Sequence, residues 1–306
     1  MNQLQKPFLK WVGGKTQMID KIVSKIPTEM ENYHELFLGG GSVLLAMLSR
    51  QKQNKITIRD KIYAYDINPY LINLYKHIQS NKDEVYDFIQ NYMDVYGSIE
   101  TNKCIKEERN TDIYEEAIKS KESYYYWLRS LFNNIKDSED RAIEVSALFL
   151  ILNKICFRGM YREGPNGFNI PYGNYKKTPT VITKETLYTV SELIKDVEFT
   201  NKGFVESIQS PIEGDFVYLD PPYAPENNTS FVGYVADGFT EENHKDLFEK
   251  TKNLDDTGIL FMMSNAKVDM VTKSFKDYEI LDIEARRAIN SKNPGSKTTE
   301  VLIFNC

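Results

Sequence analysis

The sequence predicts an α/β protein built on a parallel sheet and interrupted by an inserted helical and hairpin segment. Three observations carry this. Short apolar strands alternate with helices at both ends of the 306-residue chain. The alternation breaks in the middle, where a polar, tyrosine-rich stretch takes over. The strands also stop at glycine, acid or proline, as strands feeding a ligand crevice do.

From Pro7 to about Lys76, "YHELFL" reads as a short strand, "GGGS" as a turn and "SVLLAMLSR" as a helix opening at Ser42. "KIYAYDI" is the next strand and "PYLINLYKHI" a helix with Pro69 in its first turn, where a missing N–H costs nothing. That βαβ rhythm is the mark of a parallel sheet. From about Ile78 to Ile182 the texture changes. "IYEEAIKSKESYYYWLRSLF" leads into an apolar helix near Val145 to Ile155, and "CFRGMYREGPNGFNIPYGNYKK" reads as a hairpin around its "GPNG" turn. From about Leu187 the α/β rhythm returns with "VEFTN", "DFVYLD", a helix from Glu241 to Asn253, "GILFMMSN", and the closing strands "YEILDIEA" and "EVLIFN". Residues 1–77 and 187–306 therefore read as one sheet domain and 78–186 as an insert.

Composition is globular, at 41% hydrophobic and 27% charged. A net charge of −6 excludes a generally basic coat, so a nucleic-acid partner needs a local patch. The three cysteines, Cys104, Cys156 and Cys306, are scattered and lack clustered histidines. They fit neither a disulfide framework nor a zinc site, and no metal is expected. The setting they imply is reducing and intracellular. "MNQLQKPFLKW" has no signal-peptide core, and the longest apolar run, "VSALFLILNKICF", is too short to span a bilayer, so a soluble protein with no membrane partner is expected.

Two glycine stretches could meet a ligand. In "ELFLGGGS" three glycines join a strand to a helix, which lets backbone approach a bound group at the helix N-terminus. Asp66 follows the next strand, 27 residues after Gly39, where nucleotide-binding α/β folds keep an acid for ribose hydroxyls. Together they suggest an adenosine-containing ligand, although GxGxxG is not met. "WVGGKT", from Trp11 to Thr16, ends like a P-loop but has Leu9 where that motif needs glycine. It is either a plain glycine loop or a carrier of Trp11 and Lys15 to a pocket.

The stretch "FVYLDPPYAP" is the most informative. Adjacent prolines stop the strand and leave Asp220, Pro221, Pro222 and Tyr223 at its carboxyl end. Methylating the exocyclic amine of a nucleobase is hard because the nitrogen lone pair is delocalised into the ring. Acceptors aimed at both N–H bonds help localise it, mainly in the transition state. Asp220 offers a carboxylate and Pro221 a carbonyl on a rigid chain. Tyr223 offers a face on which an extruded base can stack, worth about 1–3 kcal/mol. Stacking needs the ring and not the hydroxyl, so phenylalanine at 223 should cost less than alanine.

The insert supplies the argument for DNA. Between Lys154 and Lys177, five basic residues (Lys154, Arg158, Arg162, Lys176 and Lys177) face one acid, Glu163. Phe157, Tyr161, Phe168, Tyr172 and Tyr175 are interleaved with them. Such a hairpin suits phosphate contact, base-edge readout and filling the gap left by a flipped nucleotide. It also fits a solvated hairpin whose aromatics merely pack down.

Taken together these motifs resemble the Dam-type (D12 class, alpha group) site-specific DNA adenine-N6 methyltransferase family, over nearly the whole chain. "PFLKWVGGK", "ELFLGGGSV", "YDINPYLINLY", "NKICFRGMYREGPNGFNIPYGNYK", "FVYLDPPYAP", and "MMSN" followed by "RRAIN" look like its successive motifs. The resemblance implies a seven-stranded, Rossmann-like S-adenosylmethionine-dependent methyltransferase sheet with an inserted DNA-recognition domain. It implies that Trp11 and Lys15 contact the methionine end of the cofactor, that Phe37, Gly39 and Gly41 belong to its pocket, and that Asp66 holds the ribose. Asp220 would lie between cofactor and target adenine. Arg158, Tyr161, Arg162 and Asn169 would read or clamp double-stranded DNA. One departure stands out: where the family commonly has an acid before a phenylalanine, "NKGFVE" has Gly203 before Phe204. Either Glu206 or backbone takes that role, or the adenine pocket differs.

The reaction implied is methyl transfer from S-adenosylmethionine to adenine N6 in double-stranded DNA, with GATC the first target to test. Cytosine N4 or an RNA adenine would use the same chemistry. A catalytically inactive, sequence-specific DNA-binding protein is opposed by the intact Asp220–Tyr223 run, and a nicotinamide oxidoreductase by the missing GxGxxG. Whether a cognate restriction endonuclease accompanies the chain is left open by the sequence.

Overall fold

In the computed structural model the described residues are 4–104, 109, 112–225, 238–286 and 297–306. Contacts divide the chain into two compact units, 1–6, 15–67 and 196–306 in the first, and 7–14 and 68–195 in the second.

The first unit is a seven-stranded sheet. Its strands are β1 (Tyr33–Glu35), β2 (Ile62–Asp66), β3 (Val197–Asn201), β4 (Phe216–Leu219), β5 (Leu260–Ala266), β6 (Glu279–Arg286) and β7 (Lys297–Phe304). Their order across the sheet is β6-β7-β5-β4-β1-β2-β3. The strands from β3 to β5 run parallel, and β7 is antiparallel to both neighbours. This is a Rossmann-like mixed sheet whose strand order reverses between β1 and β4. Ligands bind outside the carboxyl ends of strands at such a switch point.

Parallel central strands are covered on both faces, and β4 is buried at all four positions, which is why "FVYL" does not alternate. Val217, Leu219, Phe261 and Met263 form one core with Leu247 and Phe248 of helix Glu241–Asp256 and with Phe275. That helix starts in a capping box, Thr240 and Asn243 each accepting a backbone N–H from the other.

The second unit is helical, with a short hairpin. Helix Ala142–Ile155 is its axis, buried nearly all round, with helices Pro69–Ser80, Lys82–Ser98 and Lys121–Ile135 packed on it. An all-round apolar helix of this length belongs in a core. Helix Pro69–Ser80 and helix Lys184–Leu193 pack together in this unit. The boundaries expected from sequence rhythm, at 77 and 187, fall inside these two helices. The hairpin pairs Glu163–Gly164 with Gly167–Phe168 across Pro165 and Asn166. Gly167 has φ 84°, and a Cβ there would lie 2.5 Å from Asn133 Oδ1. Asn133 in turn accepts from the Phe168 N–H (2.8 Å) and donates to its carbonyl (3.0 Å), fastening the hairpin to helix Lys121–Ile135. Among the described residues no helix is long and apolar enough to cross a membrane.

Candidate active site and nucleic-acid interface

At the switch point the chain leaves β1 through Leu36, Phe37 and Leu38 into the glycine turn. Gly39 (φ 48°) and Gly41 (φ 67°) are left-handed, a conformation that glycine adopts without a Cβ clash. Gly41 N-caps helix Ser42–Lys52 without a side chain of its own, and the buried Glu35 carboxyl accepts the Leu44 N–H in the first turn of that helix. Asp66, the last residue of β2, accepts the Gly39 N–H at 2.9 Å. Asn201, at the end of β3, donates to the Asp66 carbonyl at 2.9 Å. Turn and acid are thus one hydrogen-bonded assembly, as 27-residue spacing alone could only suggest.

Asp220 follows β4, next to β1, where the Leu36 N–H donates to the Tyr218 carbonyl at 3.1 Å. Its carboxylate meets Lys15 Nζ at 2.7 Å, with the lysine side chain only 4% exposed and the aspartate 20%. Burial pushes the Asp220 carboxyl up to about 6; Lys15 opposes the rise and Glu300 adds to it. Burial dominates because a charge removed from water loses more than one partner restores. Pro221 is buried, Pro222 half-buried.

The rest of the turn is pinned from the far side of β4. The Tyr223 hydroxyl donates to Glu300 Oε2 at 2.5 Å, and Lys15 Nζ lies 4.8 Å from the Tyr223 ring centre. The Ala224 N–H donates to Asn265 Oδ1 at 3.0 Å, and the same oxygen accepts the Ala266 N–H. Behind the pair sits Glu35, fully buried at the end of β1. Burial raises its carboxyl to about 8, the Tyr33 hydroxyl at 2.6 Å pulls it down, and the charge of Asp220 adds to the rise. Glu35, Asn265 and Glu300 were not singled out from the sequence. The local signs are an acid closing the short strand at Glu35 and another, Glu300, directly before the apolar run 301–304.

Phe37, Phe204 and Phe239 form an aromatic wall, with ring centres 5.5–6.3 Å apart. Gly203 has φ −75°, ordinary for any residue, and a Cβ there would meet nothing within 4 Å. Neither backbone nor packing demands glycine where the family commonly has an acid. A separate cavity of about 510 Å3, lined by Asp255, Asp256, Tyr278 and Asn305 among others, lies at the opposite ends of the strands.

The other expected residues lie in the second unit. Trp11 stacks on Tyr161 (6.1 Å between ring centres) beside Phe149, while Lys10 exchanges hydrogen bonds with Asn153. Tyr161 is half-buried and also stacks on Phe168 at 5.6 Å. The ring therefore supports the hairpin from beneath. Arg162 is exposed and donates from Nε to Asn169 Oδ1 at 2.8 Å, bringing those two together across the hairpin. Arg158 is exposed in the left-handed region (φ 59°), its guanidinium 5.1 Å from the centre of the Phe157 ring. The interleaved aromatics sort by depth. Phe168 and Tyr172 are buried, Tyr161 and Tyr175 half-buried, and Phe157 is 43% exposed. Arg158, Arg162, Lys176 and Lys177 remain outside. Lys154 does not join them, since burial and the nearby charge of Lys10 lower its ammonium to about 8. Residues 287–290 of "RRAIN" lie outside the described residues. Among the described residues no three His, Cys, Asp or Glu side chains cluster as metal ligands would.

Comparison with known proteins identifies the family of the chain. The D12 class N6 adenine-specific DNA methyltransferase profile matches residues 11–289. The type II methyltransferase M.MjaIII of Methanocaldococcus jannaschii is 33% identical over 98% of this chain and 99% of its own. The type II methyltransferase M1.LlaDCHI of Lactococcus lactis subsp. cremoris is 30% identical over 100% of this chain and 99% of its own. The DNA adenine methylase of Escherichia coli (strain K12) is 29% identical over 97% of this chain and 94% of its own. With the glycine turn, Asp66 and the Asp220–Tyr223 run all inside the matched region, the chain belongs to the D12 class of N6 adenine-specific DNA methyltransferases.

Proposed function

We propose that the crevice at the β1–β4 switch point holds S-adenosylmethionine beside a target adenine extruded from double-stranded DNA, and that Asp220, Pro221 and Tyr223 present the adenine amine for methylation. The observation that carries this reading is the buried Lys15–Asp220 pair, placed after the strand that adjoins the glycine turn. The residues suit the cofactor on their own chemistry. Asp66 can accept from the ribose hydroxyls, and the Phe37–Phe204–Phe239 wall suits an adenine ring. When bound, S-adenosylmethionine supplies an electrophilic methyl group.

The chain supplies position and acceptors. Asp220 and the Pro221 carbonyl accept from the two N–H bonds of the amine, drawing its lone pair out of conjugation. Raised to about 6, the Asp220 carboxyl is also basic enough to take the proton that the amine sheds once methylated. Tyr223 stacks on the extruded base, and holding both reactants in line makes the step effectively unimolecular. Exposed Arg158, Arg162 with Asn169, Lys176 and Lys177 suit the DNA surface.

Reaction with a plasmid of known sequence, followed by digestion to nucleosides, tests this. N6-methyladenine is expected, and mapping the modified positions reads the recognition sequence, GATC being the first guess. N4-methylcytosine as the product would overturn the reading. Asp66→Ala should weaken S-adenosylmethionine binding about 10- to 100-fold by titration calorimetry, the loss expected when hydrogen bonds to a charged group go. Affinity within twofold of the parent would remove Asp66 from the ribose role.

A further inference from the structure

We infer that Glu300 is a positioning residue for methyl transfer, acting through the Tyr223 hydroxyl. The inference rests on the reading above, in which the Tyr223 ring is the platform for the extruded adenine, and it assigns a job to a part of that side chain which stacking does not use.

Glu300 lies on β7, paired with Ala266 of β5, and its Oε2 accepts the Tyr223 hydroxyl at 2.5 Å. The base of the turn is fixed independently, by Lys15 on Asp220 and by Asn265 on the Ala224 N–H. Without Glu300 the far end of the ring is unheld. The bonds to Asp220 and to the Ala224 N–H act outside the phenol, and the Lys15 ammonium, 4.8 Å from the ring centre, bears on its face and not on its hydroxyl. A bond at the phenol oxygen pins the far end of the ring and so fixes its swing about the first side-chain torsion. The hydroxyl lies on the axis of the second torsion, which the bond steers only through the preference of the O–H for the ring plane. A stacking platform contributes most when it is already oriented before the base arrives. Misplacement by about 1 Å in such a site can cost 10²-fold in rate, so a loosened ring should cost on the order of tenfold. This changes the expectation for phenylalanine at 223. Tyr223→Phe keeps the face but loses the tether, and it leaves the Glu300 carboxylate without this donor.

Five variants of the full-length chain test the inference: Tyr223→Ala, Tyr223→Phe, Glu300→Ala, Glu300→Gln and the double variant Tyr223→Phe/Glu300→Ala. Each is measured for kcat and KM on plasmid DNA, S-adenosylmethionine affinity and melting temperature. Tyr223→Phe and Glu300→Ala should each lower kcat about tenfold with cofactor affinity unchanged. The double variant should be no worse than the poorer single one, as two ends of one bond require. Glu300→Gln should recover most of the rate, because its amide oxygen still accepts. Parent-like kcat in Glu300→Ala would overturn the inference, as would multiplicative losses in the double variant. So would a Glu300→Ala loss shared equally by melting temperature and cofactor affinity. Parent-like activity in Tyr223→Ala would instead overturn the stacking reading itself, whereas a severe Tyr223→Ala with a harmless Tyr223→Phe would remove only the tether.

Discussion

Asp220→Ala should lower kcat about 10²- to 10³-fold, the cost of removing one preorganised group aimed at developing charge, while DNA affinity stays within about twofold of the parent value, as for a residue that acts mainly in the transition state. The amine of adenine becomes nucleophilic only as its lone pair leaves the ring, and a carboxylate accepting from its N–H favours that state over the planar one. The effect belongs to the transition state, so it appears in kcat more than in KM. Single-turnover rates with excess enzyme, set against filter-binding affinity for the same duplex, separate the two. A variant with full single-turnover rate would strip Asp220 of its role. The same carboxyl predicts an acid limb in the parent. With Asp220 pushed up to about 6, the rate should fall below that pH as a proton occupies the lone pair that the amine needs.

Much of the fold was legible because it is local. Pro221 and Pro222 end β4 at Leu219, Pro69 opens a helix, and the run "GGGS" turns into a helix at Ser42. These are consequences of backbone chemistry within a few residues. Unit membership was less legible. Helices Pro69–Ser80 and Lys184–Leu193 carry amphipathic patterns that say one face is buried but not whether against a sheet or another helix; here they meet each other. At the candidate site, the places of Asp66 and Asp220 were readable because Asp66 closes β2 and Asp220 directly follows β4. Glu300 was not, because its partner Tyr223 is 77 residues away and the pairing exists only once β7 inserts beside β5. In the hairpin the residue types were readable but their directions were not. Tyr161 and Arg162 are neighbours in sequence, yet one ring stacks inward on Trp11 and Phe168 while the guanidinium stays exposed.

Lys15→Met should move the acid limb of the pH–rate profile upward by about 1–3 units, the range over which a close opposite charge holds a carboxyl down. In the parent, burial raises the Asp220 carboxyl and the lysine 2.7 Å away resists, leaving it near 6. Without that ammonium, burial acts unopposed and Asp220 is largely protonated at neutral pH. The variant should therefore be slow at pH 7 and recover toward pH 9. A loss of rate that is independent of pH would mean that Lys15 contributes something other than charge. Stability follows the same linkage. The folded carboxyl sits above its unfolded value near 3.8, so between about pH 4 and 6 the folded chain holds more protons than the unfolded one, and Asp220 makes stability fall as pH rises through that window. In Lys15→Met the window extends upward, and the melting temperature should drop relative to the parent at pH 8 yet approach it at pH 5, where the carboxyl is neutral and no buried charge is left unpaired. A deficit that is the same at both pH values would show that Lys15 stabilises the unit by packing rather than by holding Asp220 ionised.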